Sequence, residues 1–270
     1  MMNDELKSRL SFHSSFIVPR SSFLFMGDEK MKYWFRQVAN SVFCLVLSLG
    51  VASAISAQSK NVKKTSEATE RSRRAAKVFT EIMGAPDKAI PRDLLDKAEA
   101  VAVFPNVIKA GFIVGGRGGS GVISRRIKGG WSAPAFFNLG GASVGLQIGA
   151  SSTDFVLLFM NEDALKGVLE DKLEIGGEGS VAAGPVGRAA AASTNLTLNA
   201  QILSYSRSKG LFAGLELKGV VINPDNDDNR AVYAMTAKDI LTGSNKISLN
   251  RMPAGVRIFP RTLSRYSVRR

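Results

Sequence analysis

The sequence predicts an α+β fold: a Gly-rich, mainly antiparallel curved sheet or partly closed barrel with a few flanking helices. Twenty-six glycines against nine prolines in 270 residues lie among β-branched and aromatic residues, where bends, bulges and tight turns use them. Short apolar runs bounded by turn residues recur from about residue 100 to 235, while helical periodicity is confined to three stretches. With 45% hydrophobic and 22% charged residues, the chain has the apolar content to fold around a core.

From Met31 the sequence reads as a secretory signal. Lys32 and Arg36 precede an apolar stretch from Val38 to Val51, and Ala52-Ser53-Ala54 supplies an A-x-A cleavage site, with a cut after Ala57 as the alternative. The apolar stretch falls short of the roughly 20 residues of a spanning helix, which favours cleavage over a retained anchor. Cys44 inside it is preceded by Val42 and Phe43, not by the small residues of a lipoprotein site. Residues 1–30 are read as an over-extended N-terminus, 31–57 as the signal peptide, 58–245 as the folded domain and 246–270 as a basic flexible tail.

Residues 60–83 are a predicted helix with Val62, Ala75, Val78, Phe79, Ile82 and Met83 as apolar positions, stopped by Gly84-Ala85-Pro86. Its first half is polar on all sides and reads as frayed. Pro91 opens a short helix to Ala100. Strands are expected at Ala100–Phe104, Ala110–Gly115, Gly121–Arg126, Ala135–Asn138, Ser143–Gly149 and Thr153–Met160. Asn161 caps a helix to Leu169, with Glu162 and Asp163 opposing its dipole. Strands at Leu173–Ile175, Val181–Ala183, Thr194–Ser206, Leu211–Ile222 and Ala231–Met235 close the domain.

The net charge of +13 suggests a phosphate-bearing partner, but its distribution argues against nucleic acid. Seven Lys and Arg and no acid follow Asn245, and residues 58–245 are only mildly basic. The single Cys44 and single His13 both precede residue 58. The domain therefore offers no thiol nucleophile, imidazole base or usual zinc ligand beyond carboxylates, and neither catalysis, metal nor cofactor is expected. Asp154, Glu174, Glu178 and Glu216 are scattered, with no sign of an acid/base pair.

Gly116-Arg117-Gly118-Gly119-Ser120-Gly121 matches G-x-G-x-x-G, but Val122-Ile123-Ser124 reads as a strand, not as a phosphate-facing helix. A glycine-rich hairpin connection is expected there. Asp225-Asn226-Asp227-Asp228-Asn229 has the oxygen density of a calcium loop, yet Arg230 and Thr236 stand where such a loop needs Gly and Glu. A polar turn is expected.

The basic helix is the feature with a mechanism. Lys60, Lys63, Lys64, Arg71, Arg73, Arg74 and Lys77 beside Val78, Phe79 and Ile82 have the composition of an interfacial helix, whose cations meet lipid phosphates while its apolar groups enter the headgroup boundary. A helix packed on its own domain gives the same pattern, and Glu67, Glu70 and Glu81 dilute the charge.

A chain of short motifs covers residues 62–243: Val103-Phe104-Pro105, Lys109-Ala110-Gly111-Phe112, Gly119-Ser120-Gly121-Val122, Gly130-Trp131-Ser132-Ala133-Pro134-Ala135-Phe136, Gly184-Pro185 with Gly187-Arg188, Tyr205-Ser206 and Gly210-Leu211-Phe212-Ala213-Gly214. In order and spacing it resembles the SYLF-domain family. That resemblance implies a lipid-binding domain that recognises phosphoinositides in eukaryotic relatives, partly through a basic N-terminal helix, and contacts actin in yeast relatives. By position Lys60 to Lys77 correspond to that helix and Lys109 to the family's K-A-G-F motif. For an exported bacterial protein the resemblance implies an anionic phospholipid membrane as partner, periplasmic or envelope-associated, with actin only by analogy. The alternative is a structural or assembly protein of the envelope, working through a protein partner or self-association.

Overall fold

The computed structural model describes residues 33, 36, 37 and 39 and most of 61–267. Residues 86–87, 171, 177–179, 187–199, 209–210, 214–216, 218, 244–246 and 248–251 lie outside the described residues. The chain divides into two units, Met1–Gln58 and Ser59–Arg270. In the first, the four described residues are helical, and the rest of the expected signal segment lies outside the described residues. No described helix is long and apolar enough to cross a membrane.

The second unit is organised on one long ribbon. β1 (Ala100–Ile127) and β3 (Ala135–Phe159) pair antiparallel from Ala100↔Phe159 to Ile123↔Ala135. The strands expected separately between 100 and 126 merge into β1, and those between 135 and 160 into β3. The register shifts between Phe104 and Val107 and again between Gly111 and Ile113, and irregularities of this kind bend a ribbon. The two arms of β1 then rest on each other. A Cβ on Gly121 would lie 2.3 Å from the Val103 carbonyl oxygen, and one on Gly115 would lie 2.4 Å from that of Ala110. Only glycine allows backbone to approach backbone this closely. The expected hairpin connection at 116–121 is thereby corrected: Gly116 to Gly121 run mid-strand, opposite Ala142 to Phe137.

β2 (Gly130–Trp131) turns back on the end of β1. β3 also pairs with β8 (Val220–Pro224) along Phe137–Gly141 and with β6 (Ile202–Ser208) along Asp154–Phe159. β4 (Leu173–Ile175) joins β8, β5 (Val181–Ala183) runs parallel to β6, and β7 (Leu211–Ala213) pairs with β6 antiparallel. The result is the predicted barrel-like, nearly closed and mainly antiparallel sheet, with eight strands among the described residues. Phe104, Phe136, Phe137 and Phe159 are completely buried in its core, each burial contributing roughly 1.5–3 kcal/mol.

Helices cover this sheet. α1 (61–83) buries Ala68, Ala75, Phe79 and Ile82 along one stripe. Its first half, expected to fray, is helical and anchored by Ala68. α2 (Arg92–Lys97) follows Pro91 as predicted. α3 (Glu162–Leu169) has the predicted cap, the Asn161 side chain accepting from the Ala164 N–H at 2.8 Å. α4 (Asn226–Tyr233) corrects two expectations, the polar turn at 225–229 and the strand at 231–235. Asp225 supplies a helix cap by accepting from the Asp228 N–H. α5 (Ala237–Thr242) opens on a Thr236–Asp239 capping box.

The flexible tail is also corrected. Residues Ile258–Tyr266 form α6, with Phe259 and Leu263 completely buried. The physical reason is a short apolar stripe whose packing partner lies far back in the chain, on α1.

Candidate functional site

α1 and α6 lie side by side. The Ser72 hydroxyl donates to the Val256 carbonyl at 2.8 Å, and the Phe79 and Tyr266 rings meet edge to face with centroids 5.8 Å apart. Gly255 comes so close to α1 that a Cβ there would sit 2.2 Å from Thr69 Cγ2. Apolar residues of both helices turn inward, and this fixes where the cations go. Lys63, Arg73, Arg74 and Lys77 are exposed on α1, and Arg261 and Arg265 on α6. Lys63 lies 3.9 Å from Glu67. Among the described residues, no carboxylate pairs with Arg73, Arg74, Lys77, Arg261 or Arg265.

Other predicted site residues are used by the fold. Lys64 donates to Asp227 at 2.8 Å, and that hydrogen bond holds the ammonium pKa above its ordinary value. Arg71 reaches Asp225 at 3.1 Å and Asp228 at 2.9 Å, and lies 5.7 Å from the centroid of the Phe136 ring. Burial raises the Asp228 carboxyl, as does the neighbouring Asp225 charge, while Arg71 and Lys64 pull it back. The carboxylates that resembled a calcium loop thus face the two cations of α1. Lys109 is a half-buried position of β1 in register with Ser151, and among the described residues no hydrogen bond or ion pair joins it to α1. Lys60 lies outside the described residues.

The interfacial-helix reading needs correction in one respect. Val78, Phe79 and Ile82 are 6%, 0% and 0% exposed, so in this structure α1 offers a membrane its charges and the 66%-exposed Val62 but not these three apolar groups.

Sequence reasoning missed three cations that converge beyond α1. Between the β1–β2 turn and α6 lies a cleft of about 540 Å³, lined by Lys128, Arg261 and Arg265 around Trp131 and Pro260. The signal was present: Arg257, Arg261 and Arg265 recur every fourth residue, a helical spacing concealed by the charge excess of the segment.

Residues 140–266 match the family model described as Ysc84, Las17-binding protein actin regulator, a span that includes α6. The chain is 40% identical over 183 residues to LAS seventeen-binding protein 3 of Saccharomyces cerevisiae, covering 63% of this chain and 39% of that protein. It is 37% identical over 182 residues to SH3 domain-containing YSC84-like protein 1 of Xenopus laevis, covering 64% and 54%. The match thus spans about two fifths of the yeast relative and about half of the frog one.

Proposed function

Because this chain belongs to the SYLF (Ysc84) family, we propose that it is a non-catalytic protein that docks on anionic phospholipid membranes through the basic surface shared by α1 and α6. One observation carries the proposal: five cations on adjoining helices, Arg73, Arg74, Lys77, Arg261 and Arg265, have no acidic partner among the described residues. Each cation held near an anionic surface contributes about 1 kcal/mol, and the attraction is lost with salt. The signal layout at residues 31–57 supports export, with the periplasm or envelope as the place of action. Positions of Cys44 and His13 before residue 58 support a role without catalysis.

Vesicle co-sedimentation of the full chain tests the proposal. Binding should rise with the fraction of phosphatidylglycerol, fall with salt, and weaken in the Arg73→Gln/Arg74→Gln/Lys77→Gln variant. Equal binding to phosphatidylcholine alone would sink the electrostatic docking. Neutralising these side chains is preferable to deleting residues 58–77, because deletion removes the buried Ala68, Ser72 and Ala75. A second reading, an envelope assembly protein, draws support from the names of the relatives, which describe binding to another protein. Strictly monomeric light scattering would count against its self-associating form.

A further inference from the structure

We infer that the cleft between the β1–β2 turn and α6 is the site that grips the phosphate of an anionic lipid headgroup. The inference rests on the membrane-docking reading and gives it a place and a ligand chemistry. Lys128, Arg261 and Arg265 all line the cleft, and among the described residues no carboxylate does. Three like charges on one concave surface repel one another, and a bound phosphate relieves that repulsion while accepting hydrogen bonds from the guanidinium forks.

The floor of the cleft is fixed in advance. Trp131 is 2% exposed, and the Arg126 guanidinium lies 4.1 Å from its ring centroid. Arg126 in turn donates to the Ala98 carbonyl at 2.9 Å, to the Leu95 carbonyl at 2.7 Å and to the Ser267 hydroxyl at 2.9 Å. This network ties the end of α2, β2 and the end of α6 into one support, so that ligand binding need not order it. Gly129 at φ +87° and Gly130 at φ +147° form the turn beside the mouth. A Cβ on Gly129 would meet nothing within 4 Å, so that side of the mouth is open.

Two apolar side chains decide for a lipid over a free phosphate. Ile127, on the cleft wall, is 45% exposed, and Ile258, at the start of α6, is 37% exposed. Cations next to exposed isoleucines suit the boundary where headgroup meets acyl chain. A soluble phosphate would leave both in water.

The test uses the full chain carrying Trp34→Phe, which leaves Trp131 as the one tryptophan of the two. Its emission is followed against phosphatidylcholine vesicles with and without phosphatidic acid, and against glycerol 3-phosphate and inorganic phosphate. Phosphatidic acid vesicles should change Trp131 emission, and Arg261→Gln/Arg265→Gln should weaken binding about tenfold or more. Lys128→Gln, on an exposed turn, should do so in the same direction and guards against misfolding of the double variant. The Arg73→Gln/Arg74→Gln/Lys77→Gln variant should retain the Trp131 response of the bound protein. If wild type binds the vesicles and both cleft variants bind equally well, the cleft is not the site, and membrane docking rests on the cations of α1 alone. Failure of wild type to bind any anionic vesicle would remove the docking reading itself, and the headgroup site with it. Glycerol 3-phosphate or inorganic phosphate binding as tightly as the vesicles would overturn the lipid assignment in favour of a free phosphate.

Discussion

Arg71 and Asp228 form an ion pair of 2.9 Å from Nη2 to Oδ2, with only 12% and 7% of their side chains exposed. The same guanidinium reaches Asp225, so one arginine of α1 neutralises two carboxylates at the start of α4. Removing a single partner of a buried pair strands the other charge. Arg71→Met should therefore lower stability by about 3–5 kcal/mol, read as a fall in the urea midpoint at unchanged slope. Arg73→Met, two positions along and exposed, should change stability by less than about 0.5 kcal/mol.

The raised pKa of Asp228 gives a signed pH dependence. Its folded value lies above the ordinary 3.8, so the folded state binds the proton more readily than the unfolded chain. This group's contribution to stability therefore improves as pH falls through the folded value and is complete below about 3.8. Urea midpoints of wild type and Asp228→Asn, compared from neutral pH down to pH 4, should show the wild type gaining on the variant as pH falls. Parallel curves would assign the pH dependence to other groups.

Glycines of β1 should divide by position. Gly121→Ala forces a methyl against the Val103 carbonyl and the Phe104 ring, whereas Gly116→Ala meets nothing within 4 Å. Because the first obstacle is backbone, Gly121→Ala should cost at least the roughly 1–3 kcal/mol of ordinary overpacking. Gly116→Ala should be near neutral in thermal unfolding.

The helical C-terminal segment makes a further prediction. Phe259 is completely buried, so Phe259→Ala should lower stability by roughly 3–5 kcal/mol. Deleting residues 246–270 should leave a chain without a cooperative thermal transition, since α1 would lose the surface that covers Phe79.

What was legible in the sequence was local. Asn161 with Glu162 and Asp163 announced α3 because a cap and its first turn are neighbours in sequence. Pro91 and the alternation of Leu173-Glu174-Ile175 did the same for their elements. The glycines of β1 were seen but misassigned to a turn, because their reason is the other arm of the same strand, folded back to touch them. Lys64, Ala68, Arg71 and Ala75 follow a helical stripe that turns inward, yet without the Asp225–Asp228 partners the two cations read as surface charge. The basic cleft escaped notice because Lys128 and Arg261 come from segments far apart in the chain.

The pairing of α1 with α6 also sets an order of events during synthesis. α1 leaves the ribosome roughly 180 residues ahead of α6, which packs beside it. At about 5–20 residues per second, Phe79 waits on the order of ten to forty seconds for Tyr266, the ring that packs against it. During that interval the nascent chain carries an uncovered amphipathic segment, so the ribosome-bound protein needs a chaperone more than its finished stability suggests.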